Sequence, residues 1–367
     1  MTLTIAFSGL LAGGMSLKDR LTISSMFSED RLSEVKNLLL KILTFTLIIE
    51  LLGATIMYFS IKESSLENTE IGRIYSSIFH AVSAFCNAGF SLYKENFFNS
   101  NIIQNYKYLL TVMGLIILGG LGFPTLSNLY YYFKSRLFRS KQKTLLRTST
   151  KIILIMTGLL LFFGTVLIYL FESGFSFIPL NGTDRFIQSA FLSVTSRTAG
   201  FSAWPTENLS IVSMYIVIAL MWIGGAPMST AGGIKVTTFF VGLLNIKGQL
   251  DGTEKVEFLG REIHIRSISK AFAVIVLSIG FIAMASLAII YLEPKFKPID
   301  LVFEVVSAIS TVGLSRGLTP QFTDATKIIL VFMMFIGRVG LIAFLMAFYK
   351  PADSLRYQYL REEVVIT

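Results

Sequence analysis

The sequence predicts an all-α integral membrane protein built from repeated units of helix, short re-entrant segment and helix. Three observations predict it: an apolar composition, stretches of bilayer length, and a glycine-ended segment that recurs between them. Of 367 residues, 53% are hydrophobic and 15% charged, more apolar surface than one water-soluble core needs. Apolar stretches run over 38–60, 108–133, 152–171, 211–244, 271–292 and 328–349. Each reaches the roughly 20 residues that cross a hydrocarbon core of about 30 Å, so six crossings are expected.

Basic residues orient these crossings, because short cytoplasmic loops carry an excess of Lys and Arg. The linker after the second stretch holds Lys134, Arg136, Arg139, Lys141, Lys143, Arg147 and Lys151 with no acid among them, and is expected inside. Counting from it, the segment with Lys18, Arg20 and Lys36, the loop with Lys247, Arg261 and Arg266, and the C-terminal tail face the same side. The net charge of +9 therefore reads as topology and attraction to anionic membrane lipid, not as nucleic-acid binding. Residues 1–14 have no basic n-region or small-residue cleavage site, so a signal peptide is not expected. A single cysteine, Cys86, excludes an internal disulfide, and two distant histidines, His80 and His264, form no metal pattern. The glycines from Gly119 lie inside an apolar stretch and open no βαβ unit, so they are no nucleotide fingerprint. With no nucleophile and base converging, an enzyme is not expected.

Between successive apolar stretches lie SIFHAVSAFCNAGFS from Ser77, QSAFLSVTSRTAGFS from Gln188 and FEVVSAISTVGLS from Phe303. Their glycines, Gly89, Gly200 and Gly313, fall 111 and 113 positions apart. Each is followed by a stretch with a small-residue centre: LGGLGF from Leu118, IGGAP from Ile223 and IGRVG from Ile336. Glycines that only let helices pack would recur at helical spacing within spans, not once per unit between them. A segment too short to span that ends in a glycine fits a pore helix followed by an extended strand. Non-helical backbone at that depth is tolerated only where protein or a water-filled cavity satisfies it. Glycine there adopts positive φ, and rings of carbonyls turned to one axis replace the hydration shell of a cation.

SAFCNAGF, SVTSRTAGF, SAISTVGLS, GGAPMSTAGGIK and IGRVG together resemble the Trk/Ktr/HKT potassium transporter superfamily, and most closely its bacterial KtrB-type membrane subunit. The resemblance implies helix–pore loop–helix units around a central pore in a bacterial plasma membrane, with potassium as substrate and no cofactor in this chain. It places a selectivity filter at Asn87, Ala88, Gly89 and Phe90, at Thr198, Ala199, Gly200 and Phe201, and at Thr311, Val312, Gly313 and Leu314. It further implies a homodimer, with a tail RYQYLREEVVIT like the KtrB ending, and a separate cytosolic nucleotide-binding subunit of the KtrA/TrkA type.

The family has four such units, and three are complete here. Carried back from Gly89, the period puts a first glycine about 23 positions before Met1. MTLTIAFSGL aligns with PTLSNLYYYF from Pro124, so the chain is expected to begin inside a first inner helix, as an N-terminally truncated sequence. The expected organisation is 1–36 as the remnant of a first unit, 37–150, 151–268 and 269–350 as units two to four, and 351–367 as a cytoplasmic tail. The alternatives to a potassium pore are an ion-coupled secondary transporter and a non-conducting fragment that lacks a quarter of its filter.

GGAPMSTAGGIKVTT interrupts the inner stretch of the third unit with glycines, a proline and hydroxyls that must line a cavity, or else joins two separate helices. By resemblance it is an intramembrane gating loop, with Gly224, Gly225, Ala226, Pro227, Ser229, Thr230, Ala231, Gly232, Gly233 and Lys235 as gate residues. Arg338 stands where the other units have Gly120 and Gly225; a charge amid apolar flanks is expected to face the pore and, by resemblance, to raise a barrier beside the loop. Glu50 is an intramembrane acid, either functional or hydrogen-bonded to a neighbouring helix. His80 and Glu304, at equivalent positions in two units, are expected to face helix neighbours and not the ion path.

Overall fold

A computed structural model describes residues 35–63, 69–98, 100–137, 144–253 and 255–346. The proposed first-unit remnant up to residue 34, part of the basic linker and the tail 351–367 lie outside the described residues. Three successive units are visible. The first holds α1 (Val35–Glu63), α2 (Glu70–Phe85), α3 (Tyr106–Leu121) and α4 (Phe123–Leu137). The second holds α5 (Thr148–Glu172), α6 (Gly182–Thr195), α7 (Ile211–Trp222) and α8 (Val236–Leu250), with a hairpin of β1 (Glu257–Phe258) and β2 (Arg261–Glu262) behind it. The third holds α9 (Ile265–Leu292), α10 (Pro298–Ile309), α11 (Asp324–Val339) and α12 (Leu341–Met346).

The outer helices are long and apolar enough to cross a membrane: 22 residues of α1, 25 in α5 and 28 in α9. They turn large apolar side chains outward, among them Leu51, Phe59, Phe162, Leu170, Ile279 and Leu287. The short helices α2, α6 and α10 have 16, 14 and 12 residues. At 1.5 Å per residue they cover only about 18 to 24 Å and end inside the molecule. They bury hydroxyls: Ser76, Ser83, Ser189, Ser193 and Ser307 are nearly inaccessible. Apolar outside and polar inside is the pattern of a protein dissolved in lipid.

The inner crossings depart from the sequence expectation of continuous spans. The stretch 108–133 is two helices, α3 and α4, bent by 100° at Gly122. The stretch 211–244 breaks into α7, irregular chain and α8, and 328–349 breaks at Gly340. Small residues and Pro124 weaken each helix at the same place in its unit, so a hydropathy window reads through a break that the backbone takes. Within each unit the outer, short and inner helices pack together, and the inner helix of one unit also packs on the short helix of the next, α3 on α6 and α7 on α10. Apolar clusters seal these joints; Phe97 stacks on Phe201 of the following unit with ring centres 4.7 Å apart.

A polar staple closes each unit where the outer helix ends beside the N-cap of the inner one. Ser60 donates to Asn105 Oδ1 at 2.6 Å, and the Asn105 amide returns a bond to the Ser60 carbonyl. Glu293 accepts from the Thr323 N–H at 2.6 Å and the Thr326 hydroxyl at 3.1 Å. Glu172, 0% exposed, accepts from the N–H and hydroxyl of both Ser210 and Ser176. An anion here also faces the positive end of the inner-helix dipole. Glu172→Ala orphans four donors and is expected to cost about 3 kcal/mol. A lowered apparent Tm of the detergent-purified protein, followed by size-exclusion after heating, checks it.

Candidate functional site

The three short helices end in strands of one conformation. Asn87 and Gly89 have φ of 50° and 72°, Thr198 and Gly200 72° and 80°, Thr311 and Gly313 51° and 91°. The residues between them, Ala88, Ala199 and Val312, keep negative φ. Alternating handedness turns successive carbonyls to one side of a strand, whereas uniform β conformation would alternate them. The strands abut: a Cβ on Gly89 would lie 2.6 Å from the Ala199 carbonyl oxygen, and one on Gly200 would strike that of Val312. Asn87 tolerates positive φ, but the β-branched Thr198 and Thr311 do so at a cost of about 1–3 kcal/mol each, strain held by their surroundings.

Those surroundings are the short helices. Ser83, Thr195 and Ser307 donate to the carbonyls of Phe90, Phe201 and Leu314 at 2.8, 2.7 and 2.6 Å. The last carbonyl of each four-residue filter assignment is thus turned back to its helix, and the carbonyls of 87–89, 198–200 and 311–313 are left. His80 and Glu304 brace the chain just beyond. His80 Nε2 accepts the Leu92 N–H while its Nδ1 lies 2.8 Å from the Ser76 carbonyl; the proton therefore sits on Nδ1. Glu304 accepts the Arg316 N–H at 2.7 Å and the Ser315 hydroxyl at 2.8 Å.

Beneath the strands lies the irregular segment 223–235, which touches all three units. Its ends are zipped by a parallel bridge, with the Gly224 N–H on the Ile234 carbonyl at 2.9 Å and the Ile234 N–H on that of Trp222 at 3.0 Å. Towards the first unit, the Ala226 N–H donates to the Gly120 carbonyl at 2.9 Å and the Thr230 hydroxyl to that of Phe85, at the end of α2, at 3.1 Å. Towards the second, the Gly232 N–H donates to Thr198 Oγ1 at 3.0 Å. Towards the third, Gly232 approaches so closely that a Cβ would strike Thr311 Oγ1 and the Ser310 carbonyl. Lys235 folds back, its Nζ on the Ala231 carbonyl at 2.8 Å.

Lys235 and Arg338 line one cavity of about 310 Å³ with Gly233, Ser278, Ser310 and Gly340. Arg338 has no hydrogen bond or ion pair among the described residues, so two cations share this space below the strands. Glu50 is half-buried on α1 and accepts from the Cys86 thiol, 3.9 Å away, at the end of α2.

Comparison with known proteins accounts for this arrangement. Residues 1–358 match the model of the TrkH family, described as a cation transport protein. The chain belongs to the TrkH family. The family is one of transporters and not of enzymes, and its members are multi-pass plasma-membrane proteins. Relatives include the potassium/sodium uptake protein NtpJ of Enterococcus hirae, 32% identical over 100% of this chain and 80% of its own length. The Ktr system potassium uptake protein B of Bacillus subtilis is 33% identical over 97% of this chain and 78% of its own. The crystal structure of the potassium transporter TrkH from Vibrio parahaemolyticus superposes with a TM-score of 0.67 at 16% identity, over 95% of this chain and 69% of that one, and shows the same fold.

One residue of this arrangement escaped the sequence reading. Arg197, 7% exposed, follows α6 immediately behind the second strand, and its Nη2 donates to the Gly224 carbonyl at 2.9 Å. The signal was there: six positions separate Ser83 from Gly89 and Ser307 from Gly313, whereas seven separate Ser193 from Gly200. Ser83→Ala and Ser307→Ala each remove the donor that holds a strand carbonyl and are expected to cost about 1 kcal/mol. Thermal unfolding in detergent checks both, the double variant losing about the sum because the sites lie in different units.

Proposed function

We propose that this chain is the ion-translocating subunit of a potassium uptake system of the Ktr/Trk type. Potassium sheds its water against the carbonyls of 87–89, 198–200 and 311–313, passes the segment 224–235 when part of that segment withdraws, and enters the cytoplasm. The observation that carries this reading is the alternation of positive and negative φ repeated at the same places in three abutting strands. Packing alone demands no such repeat, and inward-turned carbonyls are what a dehydrated cation requires. The names of the relatives support potassium, that of E. hirae also sodium.

The loop sits against the base of the filter strands, with Gly232 bonded to Thr198, and acts as the gate. Lys235 and Arg338 add positive charge beneath it and oppose a cation leaving the filter until the loop moves. The driving force is the membrane potential, about 2.3 kcal/mol per charge per 100 mV, equivalent to roughly a fiftyfold concentration ratio without nucleotide hydrolysis by this chain. In the cell it works as a homodimer under a cytosolic nucleotide-binding subunit of the KtrA/TrkA type; the naming of relatives as proteins of a Ktr system supports such a partnership.

Potential-driven cation uptake into proteoliposomes containing the purified chain tests this. Gly200→Ser introduces a Cβ where the Val312 carbonyl stands and is expected to lower the preference for potassium over sodium; an unchanged preference would sink the filter assignment. Deleting Pro227–Thr230 is expected to raise potassium flux several-fold, and a lowered or unaltered flux would exclude the loop as the gate.

A further inference from the structure

Arg197 is the extra residue of the second unit, and it is a cation buried behind the filter strands. A charge at membrane depth is expensive unless the fold uses it. Two features stabilise it: the Gly224 carbonyl at 2.9 Å, and the C-terminus of α6, whose C-cap is Ser196. Its Nε is buried without a hydrogen-bond partner. The space it borders, with Gly120, Thr157, Val194 and Gly225, is a cavity of about 10 Å³. That is no more than room for one water, so the guanidinium is not the seat of an anion.

What Arg197 reaches is the root of the intramembrane loop. Gly224 donates its N–H to Ile234 and gives its carbonyl to Arg197. The Val236 N–H returns to the Gly225 carbonyl at 3.0 Å, so both ends of the loop are tied at one point. The tip, Pro227 to Thr230, is bound outside the loop through Thr230 alone among the described residues, by longer contacts of 3.1 Å to Phe85 and 3.4 Å to Gly119. The equivalent carbonyl in the last unit belongs to Gly337, inside the helix α11, where no latch is needed.

We propose that Arg197 is a positioning residue, a latch that fixes the root of the intramembrane loop to the end of α6, so that only the tip Pro227–Thr230 withdraws when the pore opens. This rests on the reading of the loop as the gate. Opening then breaks the two Thr230 contacts and leaves the filter strand of the second unit, which Arg197 adjoins, undisturbed.

The test is hydrogen–deuterium exchange on the purified full chain, paired with flux. Arg197→Met is expected to speed exchange of the amides from Gly224 to Val236 by about fivefold or more, the factor that loss of one hydrogen bond corresponds to. It is also expected to raise potassium flux with the loop intact and to add nothing when Pro227–Thr230 is deleted. Arg197→Gln, neutral but polar and too short to reach Gly224, is the second variant where methionine prevents folding. Wild-type exchange at the root in either folded variant overturns the latch. So does a rise in flux of equal size with and without the tip, because Arg197 would then act on the filter. If neither wild type nor the tip deletion passes potassium, the functional reading fails, while exchange still decides the latch.

Discussion

The constraint on which the whole structure depends is that backbone polar groups at membrane depth have no water to turn to. Each short helix stops inside the molecule and leaves carbonyls without helical partners. The fold answers locally and repeatedly: Ser83, Thr195 and Ser307 take the carbonyl beyond each strand glycine, His80 and Glu304 take the N–H groups that follow, and Thr230 takes the Phe85 carbonyl. The carbonyls left over among the described residues are those of the strands with alternating φ. A set of acceptors with no protein donor among the described residues is what a desolvated cation can use.

The same constraint explains the strain. Thr198 and Thr311 hold positive φ although they are β-branched, and a strand free to relax would turn their carbonyls outward. Anchors on both sides prevent it: the short helix above, and Gly232 below, which bonds Thr198 and crowds Thr311. The three strands and the loop are therefore one mechanical object. Two cations, Lys235 and Arg338, line the cavity under it.

The three units obey one plan but are not copies. The outer staple is an Asn with a Ser in the first and a buried carboxylate in the other two. The inner helix bends by 100° at Gly122 in the first, opens into a loop in the second and breaks at Gly340 in the third. Only the second unit carries the extra residue, Arg197, and only that unit's inner helix unwinds far enough to need a tie. Local sequence differences of a residue or two thus set the second unit apart from its neighbours.

Composition, hydropathy and the recurrent glycines settled by themselves that this is a helical membrane protein, which segments are too short to span it, and where irregular backbone must lie. These follow from chain length and local chemistry: about 30 Å of hydrocarbon sets the length of a span, and glycine spacing marks the breaks. The sequence read through the bend at Gly122 and the break at Gly340, because hydropathy averages over a window and such a break is set by one residue's φ and its neighbours. It passed over Arg197, and it could not tell whether Glu50 meets Cys86 or which carbonyls a hydroxyl would claim. Those were decided by tertiary structure alone. A hydrogen bond between Arg197 and Gly224, or between Thr230 and Phe85, joins residues 27 and 145 positions apart, and only the packing of one unit against the next brings them within reach.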